Sequence, residues 1–140
     1  MMKRLIAGHD EQVAAWTFVN FNVTPHKPEM AIAIVEDDQI IGSILWEQYT
    51  GNNIEISYYG PNTMTLGIAR ACAKMAMDHW GVSRVTARTS RGNKQMTRGI
   101  KGVGFEYEGI CHDHYGKGQD AIMYGLYGHK LARLAGKQVH

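Results

Sequence analysis

Tyr59-Gly60-Pro61-Asn62-Thr63-Met64-Thr65-Leu66-Gly67-Ile68-Ala69 is the stretch on which the fold turns. An apolar run, Ile54 to Tyr59, stops at Gly60-Pro61, and a run of good helix formers follows from about Met64 to Trp80, ended by Gly81. A helix that starts straight from a strand end leaves its first amides unpaired. With the positive end of the helix dipole, those amides make an anion site that suits a pyrophosphate. At Gly67 a side chain would hold phosphates away from the backbone, and Ala69 is small enough to permit the same approach. The competing reading of Gly67 is that it lets the helix pack against its strand, since one glycine near a helix start is not specific.

Working outward, Asp10 to Asn20 reads as a helix with Asp10 as its cap and Ala15, Trp16, Phe18 and Val19 on its apolar side. Thr24 to Glu29, with Pro25 and Pro28, is a loop. Met30 to Val35 and Ile40 to Tyr49 read as a hairpin about the acidic turn Glu36 to Gln39, and Thr50 to Asn53 turns the chain into Ile54 to Tyr59. In the helix from about Met64, Leu66, Ala69, Cys72, Ala73, Met75, Ala76 and Trp80 form the apolar side. Val82 to Thr89 is a strand, Asn93 to Gly102 a short helix, and Phe105 to His114 with Ala121 to Tyr127 a closing hairpin. His129 to His140 is a basic tail with helical character. This order predicts an α/β (α+β) fold with a mixed, mostly antiparallel sheet of six or seven strands flanked by helices.

Composition bounds the rest. At 140 residues, 44% hydrophobic and 20% charged, the chain reads as one soluble globular domain, residues 1–140. A net charge of +2 announces no nucleic-acid partner. Arg84, Arg88, Arg91, Lys94, Arg98 and Lys101 are the densest basic set, but without interleaved aromatics they read as a solvated face. Two cysteines, Cys72 and Cys111, are too few for a disulfide scaffold and favour a reducing compartment. The run Leu5-Ile6-Ala7 is far short of a signal core or a membrane span, so the expectation is a cytoplasmic protein with no membrane partner. Cys111-His112-Asp113-His114 invites a metal reading, but a strand presents only His112 and His114 on one face, so no metal is expected.

Four pieces in register resemble the GNAT acyltransferase superfamily over about residues 30 to 127. Pro61 to Ala69 resembles its acyl-CoA loop, and Glu55-Ile56-Ser57-Tyr58 resembles the corresponding strand of the ribosomal-protein alanine N-acetyltransferase branch. Asn93, followed after ten residues by Gly104-Phe105, matches the family's spacing, and Gly104 to Gly109 with Asp120 and Tyr124 resembles that branch's closing signature.

The resemblance implies an acetyl-CoA-dependent N-acetyltransferase that moves an acetyl group directly to a primary amine. It implies a cofactor site at Tyr58, Tyr59, Met64, Thr65, Leu66, Gly67, Ile68, Ala69, Asn93 and Arg98, with strands splayed beside Tyr59. A backbone amide near Tyr59 would meet the thioester oxygen, and Glu55 would serve as base. Arg88 and Arg91 are candidates for the nucleotide 3′-phosphate, while His112 and Tyr115 lie toward the acceptor. Asn93 has a second reading as a plain helix cap, and Glu55 as a solvated strand residue.

Three departures stand out. Met64 and Leu66 replace the polar or basic residues usual in the loop, and Ile100 falls where the family often has a tyrosine acid, leaving Tyr58 or Tyr59 to replace it. Those departures keep open a GNAT-like module that binds an acyl-CoA or a protein without chemistry. The short first helix leaves the acceptor groove open or completed by a second copy, as in a homodimer.

Overall fold

The computed structural model describes residues 3–60 and 65–137 of the chain. Two hairpin units and a crossover build one seven-stranded sheet. Strand β1 (Arg4–Ile6) leads to helix α1 (Asp10–Phe21), then β2 (Met30–Glu36), β3 (Gln39–Glu47) and β4 (Asn53–Tyr59) run antiparallel in sequence. Helix α2 (Leu66–Met75), continued as a π turn over Ala76–Trp80, carries the chain to β5 (Arg84–Ser90), which pairs parallel with β4. Helix α3 (Lys94–Gly102), β6 (Glu106–Gly116), β7 (Gln119–Tyr127) and α4 (Gly128–Leu134) complete the order β1-β2-β3-β4-β5-β7-β6. A parallel neighbour needs a crossover, and α2 is that crossover. The expected mixed, mostly antiparallel sheet is what forms.

The sheet is covered on both faces. Ile32, Ile34, Ile44, Trp46, Ile54 and Ile56 meet α2 and α4 through Ile68, Cys72, Ala73, Leu131 and Leu134. Ala31, Ala33, Val35 and Leu45 meet α1 through Val13 and Ala14. Strands β2 and β3 are therefore apolar on both sides, which explains their continuous rather than alternating hydrophobic runs.

Several local readings are corrected. Asp10 does not cap α1. His9 occupies that position, and Asp10 Oδ1 instead accepts the Ala31 N–H at 3.1 Å, tying the helix to β2. The buried side of α1 is Val13, Ala14 and Thr17, whereas Val19 is 83% exposed and Ala15 is exposed too. Thr17 can be buried because its hydroxyl is satisfied by Val13 O at 2.8 Å and Ser43 Oγ at 2.6 Å. Strand β3 ends at Glu47, not Tyr49, because Gln48 turns left-handed at φ 55°. The freed Tyr49 hydroxyl then donates to Trp80 O at 3.1 Å. Leu66 was placed on the apolar side of α2, yet it is 53% exposed at the helix start. Strand β1 was not anticipated, since three residues give too short a pattern to read. Gly81, at φ 65°, stops the helix as expected.

Candidate active site

The two central strands separate where the site lies. Strand β4 pairs with β5 from Asn53↔Arg84 only as far as Ile56↔Ala87, although the strands continue to Tyr59 and Ser90. Beyond that point β4 keeps β3 on one side, through Ser57↔Leu45, Tyr58↔Ile44 and Ser43↔Tyr59. Its other edge carries backbone groups without a ladder partner. A cavity of about 670 Å³ fills the divergence, walled by Ser57, Tyr58 and Tyr59 on β4 and by Arg88, Thr89 and Ser90 on β5. Ala69, Cys72 and Ala73 of α2, Met96, Gly99 and Ile100 of α3, and Tyr115 to Asp120 at the β6–β7 turn contribute the remaining sides, through Tyr115, Gly118, Gln119 and Asp120.

At the start of α2, Thr65 Oγ1 accepts the Ile68 N–H at 3.2 Å and Thr65 O accepts the Ala69 N–H at 2.9 Å. Among the described residues, no backbone partner is recorded for the Leu66 and Gly67 amides. Among the described residues, a methyl group built at Gly67 would find only Thr65 Oγ1, 4.0 Å away. Gly67 therefore does not serve close packing against a strand, and that reading is set aside. Among the described residues, nothing else comes close to it beside the first amides of the helix, the condition for an anion. Met64, with Pro61, lies outside the described residues.

Alternation along β4 sends Ile54, Ile56 and Tyr58 toward α2 and Glu55, Ser57 and Tyr59 toward α1. Tyr59 stands 5.5 Å from the Phe21 ring, and its hydroxyl is pushed up to about 12, chiefly by burial. Burial also raises Tyr58 and Tyr115. All three phenols thus stay protonated at neutral pH. Glu55 forms an ion pair with Arg88, whose side chain is 25% exposed, and that hydrogen bond is the main reason the guanidinium is raised further. Glu47, in register with Glu55 across β3–β4, pairs with His26 from the loop before β2. Both His26 nitrogens face acceptors, Thr24 O at 2.9 Å and the Glu47 carboxylate. That raises its pKa, the Thr24 carbonyl first and Glu47 next among the raising causes.

The outcome for each expected residue is specific. Tyr58, Tyr59, Ala69 and Asn93 line the cavity. Thr65, Leu66 and Gly67 form the start of α2, while Ile68 turns into the core at 6% exposure. Asn93 caps α3, accepting the Met96 N–H at 3.1 Å through Oδ1, and its amide N–H₂ group is left for a second partner. Arg98 is exposed on α3 and is not part of the cavity wall, which is built there by Met96, Gly99 and Ile100. Arg88 is engaged by Glu55 rather than offered to a phosphate. Arg91 lines the cavity but is held by Asp120 at 3.1 Å. Asp120 also accepts the Asp113 N–H at 3.0 Å and faces His112 Nδ1 at 3.3 Å, and the Asp113 bond leads the causes that lower its pKa. Cys111 to His114 do not form a ligand set, and among the described residues no three His, Cys, Asp or Glu converge. Cys72 is a core thiol, pushed up to about 12 by burial.

Sequence reading missed the Arg88–Glu55 and His26–Glu47 pairs. The first was recoverable in principle, since Glu55↔Thr86 register places Arg88 diagonally across on the same face. The second had no signal, because nothing in Thr24 to Glu29 says where the loop folds back.

The model of the acetyltransferase (GNAT) domain matches residues 2–106. By sequence, no curated protein matches significantly. Among solved structures, a chimera of the spermidine N-acetyltransferase SpeG from Vibrio cholerae and hSSAT superposes at a TM-score of 0.76 with 9% identity, covering 98% of this chain and 100% of that one. The Vibrio cholerae spermidine/spermine N-acetyltransferase SpeG gives 0.72 at 12% identity, covering 97% of each chain. The ribosomal-protein-S5-alanine acetyltransferase from Vibrio fischeri gives 0.68 at 14%, covering 89% of this chain and 91% of that one. This chain spans 63% of the length of one further acetyltransferase, at a TM-score of 0.66 and 14% identity. At such identities the superpositions speak to the fold. Together with the domain match over most of its length, they place the chain in the GNAT acetyltransferase family.

Proposed function

We propose that this protein is an acetyl-CoA-dependent N-acetyltransferase that moves an acetyl group to a primary amine by direct transfer. The observation that carries the reading is the parting of β4 from β5 after Ile56↔Ala87, over a cavity that reaches α2 at Ala69, Cys72 and Ala73. In this reading the diphosphate rests on the Leu66 and Gly67 amides, with little side-chain help from Leu66 itself. The pantetheine arm enters between Tyr58–Tyr59 and Arg88–Ser90 and meets the Asn93 amide. The unladdered edge of β4 near Tyr59 offers an N–H to the thioester oxygen, where negative charge develops.

The amine nitrogen attacks the thioester carbon from the face bearing Glu55 and Tyr59. Its N–C bond forms, the tetrahedral intermediate collapses, and the C–S bond breaks. Glu55 takes the ammonium proton directly or through water, and a neutral phenol, Tyr59 first, supplies a proton to the departing thiolate. The ion pair with Arg88 must loosen for Glu55 to act, so Arg88 competes with the transferred proton. A protein α-amine and a small polyamine are both primary amines, and the named neighbours act on one or the other. The acceptor class proposed is accordingly the primary amine. The continuous sheet supports reading the chain as one domain. Two free cysteines support a reducing, cytoplasmic setting, and no helix among the described residues is long and apolar enough to cross a membrane.

The second reading, a module that binds acyl-CoA without turning it over, is favoured by Ile100 on the cavity wall and by the Arg88 hold on Glu55. Free-thiol release from acetyl-CoA with a panel of amines and N-terminal peptides decides between them. Release with at least one amine supports the enzyme. Calorimetric binding without release across the panel supports the module, and no binding removes both.

A further inference from the structure

The last β4–β5 pair is Ile56↔Ala87; Arg88 is the next residue on β5, and Glu55 the residue before it on β4. Glu55 is in register with Thr86, so Arg88, two residues on, shares its face of the sheet. The ion pair between them therefore bridges the two strands at the point where they part. Glu55 lies off the cavity wall, whereas Arg88 lies on it. Among the described residues the other cation on that wall is Arg91, which is held by Asp120 and has a side chain 58% exposed. Arg88 gives Nη1 to Glu55. Its Nε–H is buried and, among the described residues, has no hydrogen-bond partner. A buried donor left unpaired is costly, so this one marks a place for an acceptor oxygen.

We infer that Arg88 is a catalytic residue whose guanidinium binds the thioester carbonyl oxygen, through the unpaired Nε–H in the donor complex and with its whole charge once Glu55 is protonated. The inference rests on the acyl-CoA reading of the site. Charge balance argues for it. When Glu55 takes the ammonium proton it becomes neutral, and Arg88 beside it is a partly buried cation without its counter-ion. As the N–C bond forms, the C=O π pair moves onto oxygen, and that oxyanion replaces the lost counter-ion. The pair returns to carbon as the C–S bond breaks and its electrons leave on sulfur. The nitrogen sheds one proton to Glu55 and one to water. Sulfur takes one from the phenol, which regains it from water, and Arg88 exchanges none. The guanidinium stays charged throughout, its pKa raised first by the Glu55 hydrogen bond. In the ground state the Glu55 carboxylate competes for that charge, and in the transition state it does not. An interaction that strengthens in this way accelerates the reaction.

The test reads the carbonyl itself, by infrared difference spectra of carbonyl-labelled acetyl-CoA bound to the full chain without amine. In wild type the C=O band should fall below its frequency in free acetyl-CoA, and Arg88→Met should lose at least about half of that shift. A band at the free position in wild type overturns the inference. So does an equal shift in both proteins, which assigns it to the β4 amide alone. Arg88→Met leaves Glu55 unpaired; if it does not fold, the Glu55→Gln/Arg88→Met double variant leaves neither charge alone and carries the same comparison. Turnover gives a second reading whose sign decides. With an amine that releases thiol, Arg88→Met should lower kcat about 10²-fold or more, the usual loss for one oxyanion donor, with acetyl-CoA Kd within about threefold. If Arg88 only restrains Glu55, kcat stays or rises, and the inference falls. A band shift lost in the variant, with no thiol release toward any amine, supports the contact while refuting the transferase reading, so the two fail separately. Absence of acetyl-CoA binding overturns both.

Discussion

At the scale of single residues, the face of β4 toward α1 is a set of paired charges around phenols. Glu55 is the carboxylate proposed as base; it does not line the cavity itself, and Arg88, which does, is its partner. Glu55→Gln keeps the shape and a hydrogen bond to Arg88 but removes the proton acceptor. Turnover at pH 7 should fall about 10²-fold, within the usual range for losing a general base, while acetyl-CoA affinity stays within twofold. Steady-state thiol release and calorimetry measure the two, and an unchanged rate clears Glu55 of the role. His26 gives a second prediction. Its pKa is raised above 6.5 by the Thr24 carbonyl and Glu47. A group raised on folding stabilises the protein fully below its unfolded pKa and loses that contribution as pH climbs through the folded value. The stability difference between wild type and His26→Gln should therefore shrink as pH rises from 6 to 8. The pair is partly exposed, so the difference is at most about 1 kcal/mol. Urea unfolding across that range checks it, and a difference that grows with pH contradicts the pairing.

At the scale of elements, the divergence of β4 depends on how β3 holds its far end. Gly42 is the contact: a Cβ there would sit 2.5 Å from Tyr59 O and 3.3 Å from Gly60 Cα, both backbone. Neither can yield like a flexible side-chain tip. Gly42→Ala should push the end of β4 away from β3 and cost about 1–3 kcal/mol, the range for overpacking a close contact. Because the displaced residue is Tyr59, acetyl-CoA affinity should drop together with the melting temperature. A variant with native stability and native affinity would show that β4 is held otherwise. Helix α2 contributes differently. Among the described residues its start is anchored by the Thr65 side chain, and its body is fixed by Ile68, Ala69, Cys72 and Ala73 in the core.

At the scale of the whole molecule, the order of strands and helices was legible because each apolar run was bounded by turn residues, as at Asp37-Asp38, whose φ values of 54° and 60° make the two-residue hairpin turn. The start of α2 was legible for the same reason, and its openness at Gly67 bears on which of two readings holds. Less legible was whatever depends on partners far apart in sequence. Thr17, outside the apolar side expected for α1, is buried because Ser43 answers it, while Val19, expected on that side, faces outward. The resemblance implied Arg98 as a cofactor ligand, but helical geometry leaves it exposed while Met96, Gly99 and Ile100 line the cavity. Periodicity over a nine-residue helix is too short to fix which side faces the sheet.

The central claim is that the amides at Gly67 cradle a diphosphate, and one substitution tests it. Gly67→Ala adds a methyl where, among the described residues, only Thr65 Oγ1 lies near, at 4.0 Å. Helix propensity then favours the variant by up to about 1 kcal/mol. Paired thermal unfolding and acetyl-CoA calorimetry should show melting at or above the wild-type temperature with affinity reduced at least about tenfold. A variant that melts lower and binds acetyl-CoA as tightly as wild type would contradict the account.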